Sequence, residues 1–258
     1  MKKFSECDNL IINDIPFIHF MSENYIDEEF YEKLYNEFPS KEYFGNKASY
    51  GEKYLCSTRK TPKLFNEFME SSEVWKDFIS FLNSDEFTND ILDIFNLKSL
   101  IKNFKCGYSN KLTSNTLIKK IFCKSIKTDF EFSELYNDSY VPPHLDSRRK
   151  FITILFYFPD YDWNEEYGGN TIFYKLAKNN LKNYINYYLK EPNYSFKSDK
   201  ELENFYDDMQ VLLRIPFQKG LMAGFMRNKK SFHEVLPLNL PEGKSRKVFI
   251  MNLQYDED

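Results

Sequence analysis

An α+β protein with a mainly β core is what this sequence predicts, and three observations carry the prediction. Over the first hundred residues, apolar side chains recur at helical spacing. After Leu97 the texture changes to short runs rich in β-branched and aromatic residues, at least six of them. Between the runs lie turn signals: an acidic stretch ending in a Gly-Gly pair at 160–169, and a Pro-Glu-Gly break at 241–243. Short strands so punctuated close into an antiparallel sandwich or barrel.

In chain order, Ser22 can cap a helix in which Tyr25, Phe30, Leu34 and Phe38 fall on one side before Pro39 stops it, so a first helix spans roughly 26–37. A second starts at Ser72 and carries Val74, Phe78, Phe81 and Leu82, and a third covers 87–95. The strands read as 117–122, 150–158, 170–174, 211–215, 221–226 and 247–255. One segment interrupts them. Over 176–208 the chain is rich in Lys, Asn and Tyr, with Leu181, Ile185, Tyr188 and Leu189 at helical spacing and a second short helix at 201–205. An insertion of that length between strands is either a lid over a site or a packing accessory. The length of 258 residues suits one domain, with a helix-rich support over 1–100 and a β core over 101–258 that contains the insertion.

Hydrophobic residues at 42% and charged residues at 29% place the chain among folded globular proteins rather than disordered ones. The net charge of −4 gives no basic footprint for nucleic acid, and no such partner is expected. The opening MKKFSECDNLIINDIPF lacks the apolar run of a signal peptide, and no stretch reaches the length of a membrane span. The expectation is a cytoplasmic protein with no membrane partner. Cys7, Cys56, Cys106 and Cys123 show no CxxC spacing, so reduced thiols are expected rather than a zinc knuckle or a redox pair.

The candidate chemistry lies with the histidines, of which there are three. His144 and Asp146 stand two apart in VPPHLD, and on an extended segment that spacing turns both side chains to one face, where they can hold one metal ion. His233, in KSFHEV, follows a strand and precedes another apolar run, as expected of a neighbouring strand of the same barrel. Two histidines and one carboxylate suit ferrous iron, since three ligands on one face of an octahedron leave three positions open. Zinc also accepts the set. No HExxH occurs, so a helical zinc hydrolase is not indicated. His19, in PFIHF, reads as an ordinary core or surface histidine.

The series VPPHLDSRRKFITILFYFPD, EEYGGNTIFYK, KSFHEVLPL and SRKVFIMNLQYD, covering about residues 140–256, resembles the prolyl-4-hydroxylase-like branch of the Fe(II)/2-oxoglutarate-dependent dioxygenase superfamily. Members of that branch show HxD, a strand carrying Thr and Tyr, a Gly-Gly turn followed by Thr-x-Phe, a glycine before an apolar strand, a distal histidine and a last strand that begins with a basic residue. The resemblance implies a double-stranded β-helix, the jelly-roll or cupin-like fold, with N-terminal helices packed against it. It implies His144, Asp146 and His233 as the ligands of Fe(II), and Arg246, thirteen residues beyond His233, as the partner of the distal carboxylate of the co-substrate 2-oxoglutarate. A guanidinium fork suits a carboxylate. Tyr157 would donate a hydrogen bond to the same carboxylate.

Some positions depart from the pattern. The stretch NLPEGKS before Arg246 is long, which leaves Lys244 and Lys247 as alternative carboxylate partners. Val141 stands where the family often has a tyrosine three residues before HxD, with Tyr140 one step out, so the keto-acid end of the co-substrate has no assigned contact. A carboxylate at Asp146 speaks against the halogenase variant. Gly168, Gly169 and Gly220 are read as turn residues, and Arg148 and Arg149 as solvated surface. The implied activity is hydroxylation of an unactivated C–H bond with O2, releasing succinate and CO2. The implied substrate is a protein side chain or a small, sometimes sugar-linked, metabolite, selected by the N-terminal helices and the 176–208 insertion. The rival from another class is a non-catalytic cupin-like module that binds a metal or small ligand.

Overall fold

Residues 7, 9–47, 53–95, 126–177 and 198–255 are described by a computed structural model. Strand alternation decides the layers. On the strand Lys150–Tyr157 (β7), Ile152, Ile154 and Phe156 point to one side and Thr153, Leu155 and Tyr157 to the other. The strand Arg246–Tyr255 (β12) does the same, with Phe249, Met251 and Leu253 outward and Arg246, Val248, Ile250 and Asn252 inward. Both faces of these strands are therefore buried, the outer one under helices and the inner one under a second sheet.

The larger sheet has eight strands, numbered in chain order β1 (Ile11–Asn13), β2 (His19–Glu23), β3 (Gly45–Lys47), β4 (Lys53–Ser57), β5 (Ile126–Leu135), β7, β10 (Leu221–Met226) and β12, in the spatial order β1-β2-β10-β7-β12-β5-β4-β3. The smaller has four, in the order β6-β11-β8-β9: β6 (Val141–His144), β8 (Thr171–Leu176), β9 (Met209–Ile215) and β11 (His233–Val235). Every pairing is antiparallel. From β5 onward the chain passes repeatedly between the sheets, so that β5, β7, β10 and β12 face β6, β8, β9 and β11 as a jelly roll.

Four helices cover the outer face: α1 (Glu28–Asn36), α2 (Pro62–Ser71), α3 (Glu73–Leu82) and α4 (Asp85–Ile94). Their starts follow capping chemistry. Asp27, Ser72 and Ser84 accept hydrogen bonds from the backbone N–H of Phe30, Trp75 and Phe87, and Pro62 opens α2. Trp75 anchors the layer. It is fully buried, donates from Nε1 to the Leu34 carbonyl at 3.1 Å, and meets Phe132 and Phe249 at 4.6 and 4.9 Å between ring centres. A fifth helix, α5 (Asp199–Asp208), is capped by Ser198 and packs through Phe205 against Tyr174 and Phe232, outside the smaller sheet.

The expected helices at 26–37, 72–82 and 87–95 correspond to α1, α3 and α4, and the end of the insertion, 201–205, falls inside α5. Three features were not expected. Besides its helices, the first hundred residues hold β1 to β4, which widen the larger sheet; two of these strands span three residues each and show no period. The helix α2 was not expected; Pro62 stands at its first helical position. β5 was passed over although Phe130 and Phe132 alternate outward against Asp129, Glu131 and Ser133. The strand at 117–122, the helical spacing over 181–189, and Cys106 and Cys123 lie outside the described residues; Cys7 and Cys56 form no disulfide with a described residue. Among the described residues no helix is long and apolar enough to cross a membrane.

Because Trp75 seals the helical layer against the sheet, Trp75→Ala should cost about 3–5 kcal/mol of unfolding free energy, read from the urea midpoint. A loss below about 1 kcal/mol would mean that the helices are not held through this side chain.

Candidate metal centre

His144 ends β6 and His233 begins β11, and the two are directly paired across the strands, with ring centres 4.2 Å apart. Asp146 follows in the turn after β6, and one ligand atom from each of the three lies within 4.8 Å of the others. Two residues upstream, a carbonyl fixes each imidazole. His144 Nδ1 is 2.9 Å from the Pro142 oxygen and His233 Nδ1 is 3.0 Å from the Ser231 oxygen. A carbonyl oxygen only accepts, so Nδ1 must donate, and each ring keeps the Nε2 lone pair for a metal. Burial, reinforced by His233, pushes the His144 imidazole down to about 3 against the pull of Asp146. His233 is lowered in the same way. Both rings are therefore neutral at physiological pH, the state a ligand needs.

The carboxylate is fixed from several sides. Thr153, on the inner face of β7, donates to Asp146 Oδ2 at 2.6 Å; Lys150 donates to Oδ1 at 3.2 Å; and Arg227 Nε donates to the Asp146 carbonyl at 2.8 Å. Burial alone would raise the Asp146 carboxyl, but Lys150, His233, His144 and the Thr153 hydroxyl hold it well below the usual carboxylate range. Register extends the arrangement across the sheet. Asp129, Asn252, Thr153, Phe225 and His19 are successive cross-strand partners on β5, β12, β7, β10 and β2. His19 belongs to the core, as expected. It is fully buried against Phe17 and Phe173, its Nδ1 lies 2.9 Å from the Phe17 carbonyl oxygen, and it stands outside the ligand group.

Arg246, the first residue of β12, is 3% exposed between the sheets. Its Nε donates to the Gly169 carbonyl at 2.7 Å and its Nη2 to Thr171 Oγ1 at 3.1 Å, and the guanidinium lies over the rings of Tyr157 and Phe217 at 5.4 and 4.9 Å. The Tyr157 hydroxyl donates to the same threonine at 2.9 Å. No carboxylate among the described residues pairs with Arg246, and burial pushes the guanidinium down to about 10. A buried cation without a counter-charge is costly and points to an anionic ligand. Thr171 is two positions along β8 from Phe173, the cross-strand partner of His233. The anion pocket therefore lies about 7 Å along the strand from the metal ligands.

The structure thus gathers His144, Asp146 and His233 at one place and Arg246 with Tyr157 at another nearby. Lys247 and Lys244 turn away, to Asp160 at 3.2 Å and Asp162 at 2.5 Å. Gly168 and Gly169 do more than turn the chain. Both have positive φ, a side chain at Gly168 would strike the Pro237 carbonyl, and one at Gly169 would meet Leu238 and Arg246 at 2.6 and 3.0 Å. Thr153, Lys150 and Arg227 were not foreseen. For Thr153 the place on an alternating strand, seven residues after Asp146, was the available signal. Thr171 and Phe173 are both inward, one in the anion pocket and one between His19, Phe225 and His233.

No family model and no curated protein matches the sequence. Among solved structures the chain is similar to a prolyl-4-hydroxylase from Pseudomonas putida, at TM-score 0.55 and 10% identity over 93% of this chain and 94% of that one. It is also similar to a prolyl 4-hydroxylase from Phytophthora capsici, at TM-score 0.51 and 11% identity over 92% of this chain and 58% of that one. At such identities the likeness defines the fold, the double-stranded β-helix of the prolyl-4-hydroxylases.

Thr153→Val keeps the shape of the side chain and removes the hydroxyl that holds Asp146. Metal affinity, measured in competition with a chromophoric chelator, should fall about 10–100-fold. An unchanged affinity would show that the carboxylate needs no such support.

Proposed function

We propose that the protein is an Fe(II)- and 2-oxoglutarate-dependent oxygenase that hydroxylates an unactivated C–H bond of a protein side chain or small metabolite. The observation that carries this reading is Arg246: a buried guanidinium with no carboxylate partner among the described residues, about 7 Å along the strand from two histidines and an aspartate that could share one metal ion. A metal-binding module has no need of such a cation. A short dicarboxylic acid that chelates a metal at one end and meets a guanidinium at the other does need it.

In this reading His144 and His233 bind iron through Nε2 while their Nδ1 protons stay on the Pro142 and Ser231 carbonyls. Asp146 supplies the third ligand and one negative charge, with Thr153 and Lys150 fixing its two oxygens. Arg246 receives the distal carboxylate of 2-oxoglutarate, helped by the Thr171 and Tyr157 hydroxyls. Iron with 2-oxoglutarate and O2 supplies the oxidising power for C–H hydroxylation, with succinate and CO2 as products. The chain's own contribution is preorganisation and dryness: Phe173, Phe225 and Phe217 wall the space between the two sites and keep water from the charges.

Anaerobic addition of Fe(II) and then 2-oxoglutarate should produce a visible charge-transfer band that saturates at one equivalent. Arg246→Ala should weaken 2-oxoglutarate about a hundredfold while iron affinity stays close to wild type, and His233→Ala should abolish iron binding. Full turnover by the His233 variant would sink the ligand assignment. Iron binding without a band in the wild-type protein would make the jelly roll a metal-binding module.

A further inference from the structure

Beside the metal triad, where β4 and β5 continue the inner surface of the larger sheet, basic side chains converge on two carboxylates. Lys53 Nζ lies 3.2 Å from Glu131 Oε1, Lys60 Nζ lies 3.9 Å from Glu131 Oε2, and Arg59 Nε lies 3.9 Å from Asp129 Oδ2. Lys150 ties this group to the triad. It donates to Asp146, and its charge also acts on Glu131 and Asp129. Register explains the convergence. Asp129 is the cross-strand partner of Asn252, Asn252 is that of Thr153, and Thr153 holds Asp146. Ser57, at the end of β4 and just before Arg59 and Lys60, lies opposite Glu131.

Donor accounting separates these cations. Lys53 hydrogen-bonds Glu131, and Asp129 takes its hydrogen bond from the Thr58 hydroxyl at 2.5 Å. At 3.9 Å neither Arg59 nor Lys60 is hydrogen-bonded to its carboxylate. Neither side chain bonds to any other described residue. Both are 43% exposed, above carboxylates that are 6% and 12% exposed. The floor is thus buried and acidic while the rim is basic and open. Gathering the cations also costs something: burial pushes the Lys60 ammonium down, Glu131 opposes, and Lys53, Lys150 and Arg59 push it down further. Solvated surface pairs contribute little to stability, so stability alone does not explain a set of like charges drawn together beside a metal site.

We infer that Arg59 and Lys60 form a specificity subsite that receives an oxyanion, a phosphate or a carboxylate, carried by the substrate. This holds the bond to be oxidised at the metal, and the inference rests on the oxygenase reading above. A guanidinium fork and an ammonium, neither hydrogen-bonded through its side chain to a described residue, are complementary to such a group. The subsite is distinct from the Arg246 pocket. Arg246 lies at the start of β12, level with Leu135 at the far end of β5, whereas Asp129 is near the beginning of that strand.

The test is a calorimetric titration of the full chain holding Ni(II) and 2-oxoglutarate, with phenyl phosphate, benzoate and uncharged benzyl alcohol as probes at matched ionic strength. At least one anion should bind and the alcohol should not. In the Arg59→Ala/Lys60→Ala variant the dissociation constant should rise about tenfold, while Arg59→Lys/Lys60→Arg keeps the wild-type value. Tighter binding of phenyl phosphate would assign a phosphorylated substrate, and tighter binding of benzoate a carboxylated one. Absence of anion binding, or equal binding by the wild-type and alanine proteins, would overturn the inference. So would loss of the Fe(II)/2-oxoglutarate band in the alanine variant, since the cluster would then serve the co-substrate. Absence of that band from the wild-type protein would fail the oxygenase reading instead, leaving anion binding at Arg59 and Lys60 to be judged by the same titration.

Discussion

The pairing of β7 with β12 is the constraint on which the rest of the molecule depends. From Val248↔Tyr157 to Leu253↔Ile152 the two strands stay in register, and the inward residues Thr153, Tyr157, Val248 and Asn252 are placed by that ladder. A slip of one residue would turn Thr153 and Tyr157 outward and bring Ile154 and Phe156 into the site. The outer aromatic layer resists such a slip. Phe249 packs against Trp75, Phe78, Phe130, Phe132 and Phe156 at centre distances of 4.7–6.0 Å. The helices of the N-terminal region thereby favour the register that turns Thr153 and Tyr157 inward.

Buried charge is distributed with the same economy. Glu234, beside His233 but on the opposite face of β11, accepts hydrogen bonds from the hydroxyls of Tyr174 and Tyr206 and so secures α5 to the smaller sheet. Asp146 is matched by Lys150, Thr153 and the two imidazoles. Arg246 has aromatic rings, a carbonyl and a hydroxyl around it but no counter-ion among the described residues. A buried guanidinium in that setting is a candidate place for an anionic ligand.

The legible parts of the site were those where chemistry and period coincide. HLD on an extended segment brings two ligands to one face, and the distal histidine followed by an apolar run suggested a neighbouring strand; the direct cross-strand pair His144↔His233 agrees. The resemblance already favoured Arg246 over Lys244 and Lys247, and in three dimensions these basic residues near the head of one strand are placed differently. Their fates differ because strand alternation turns Lys247 to the opposite face and Lys244 precedes the strand. The glycines were read as turn formers, yet the carbonyl of Gly169 holds the Arg246 guanidinium, a role that no residue type announces.

By itself the sequence determined α1, α3 and α4 through caps and spacing, strands such as β7 and β12 through their apolar runs, and the residue types able to hold a metal and a carboxylate. These are local properties, written within a few neighbours of each residue. Only the tertiary structure decided that β1 to β4 join the larger sheet, that Thr171 and Tyr157 meet at Arg246, and that Arg59 and Lys60 come to lie beside a metal site more than eighty residues further along the chain. Contacts across that distance depend on how sheets pair and fold over one another. That is a property of the whole chain's burial rather than of any window within it.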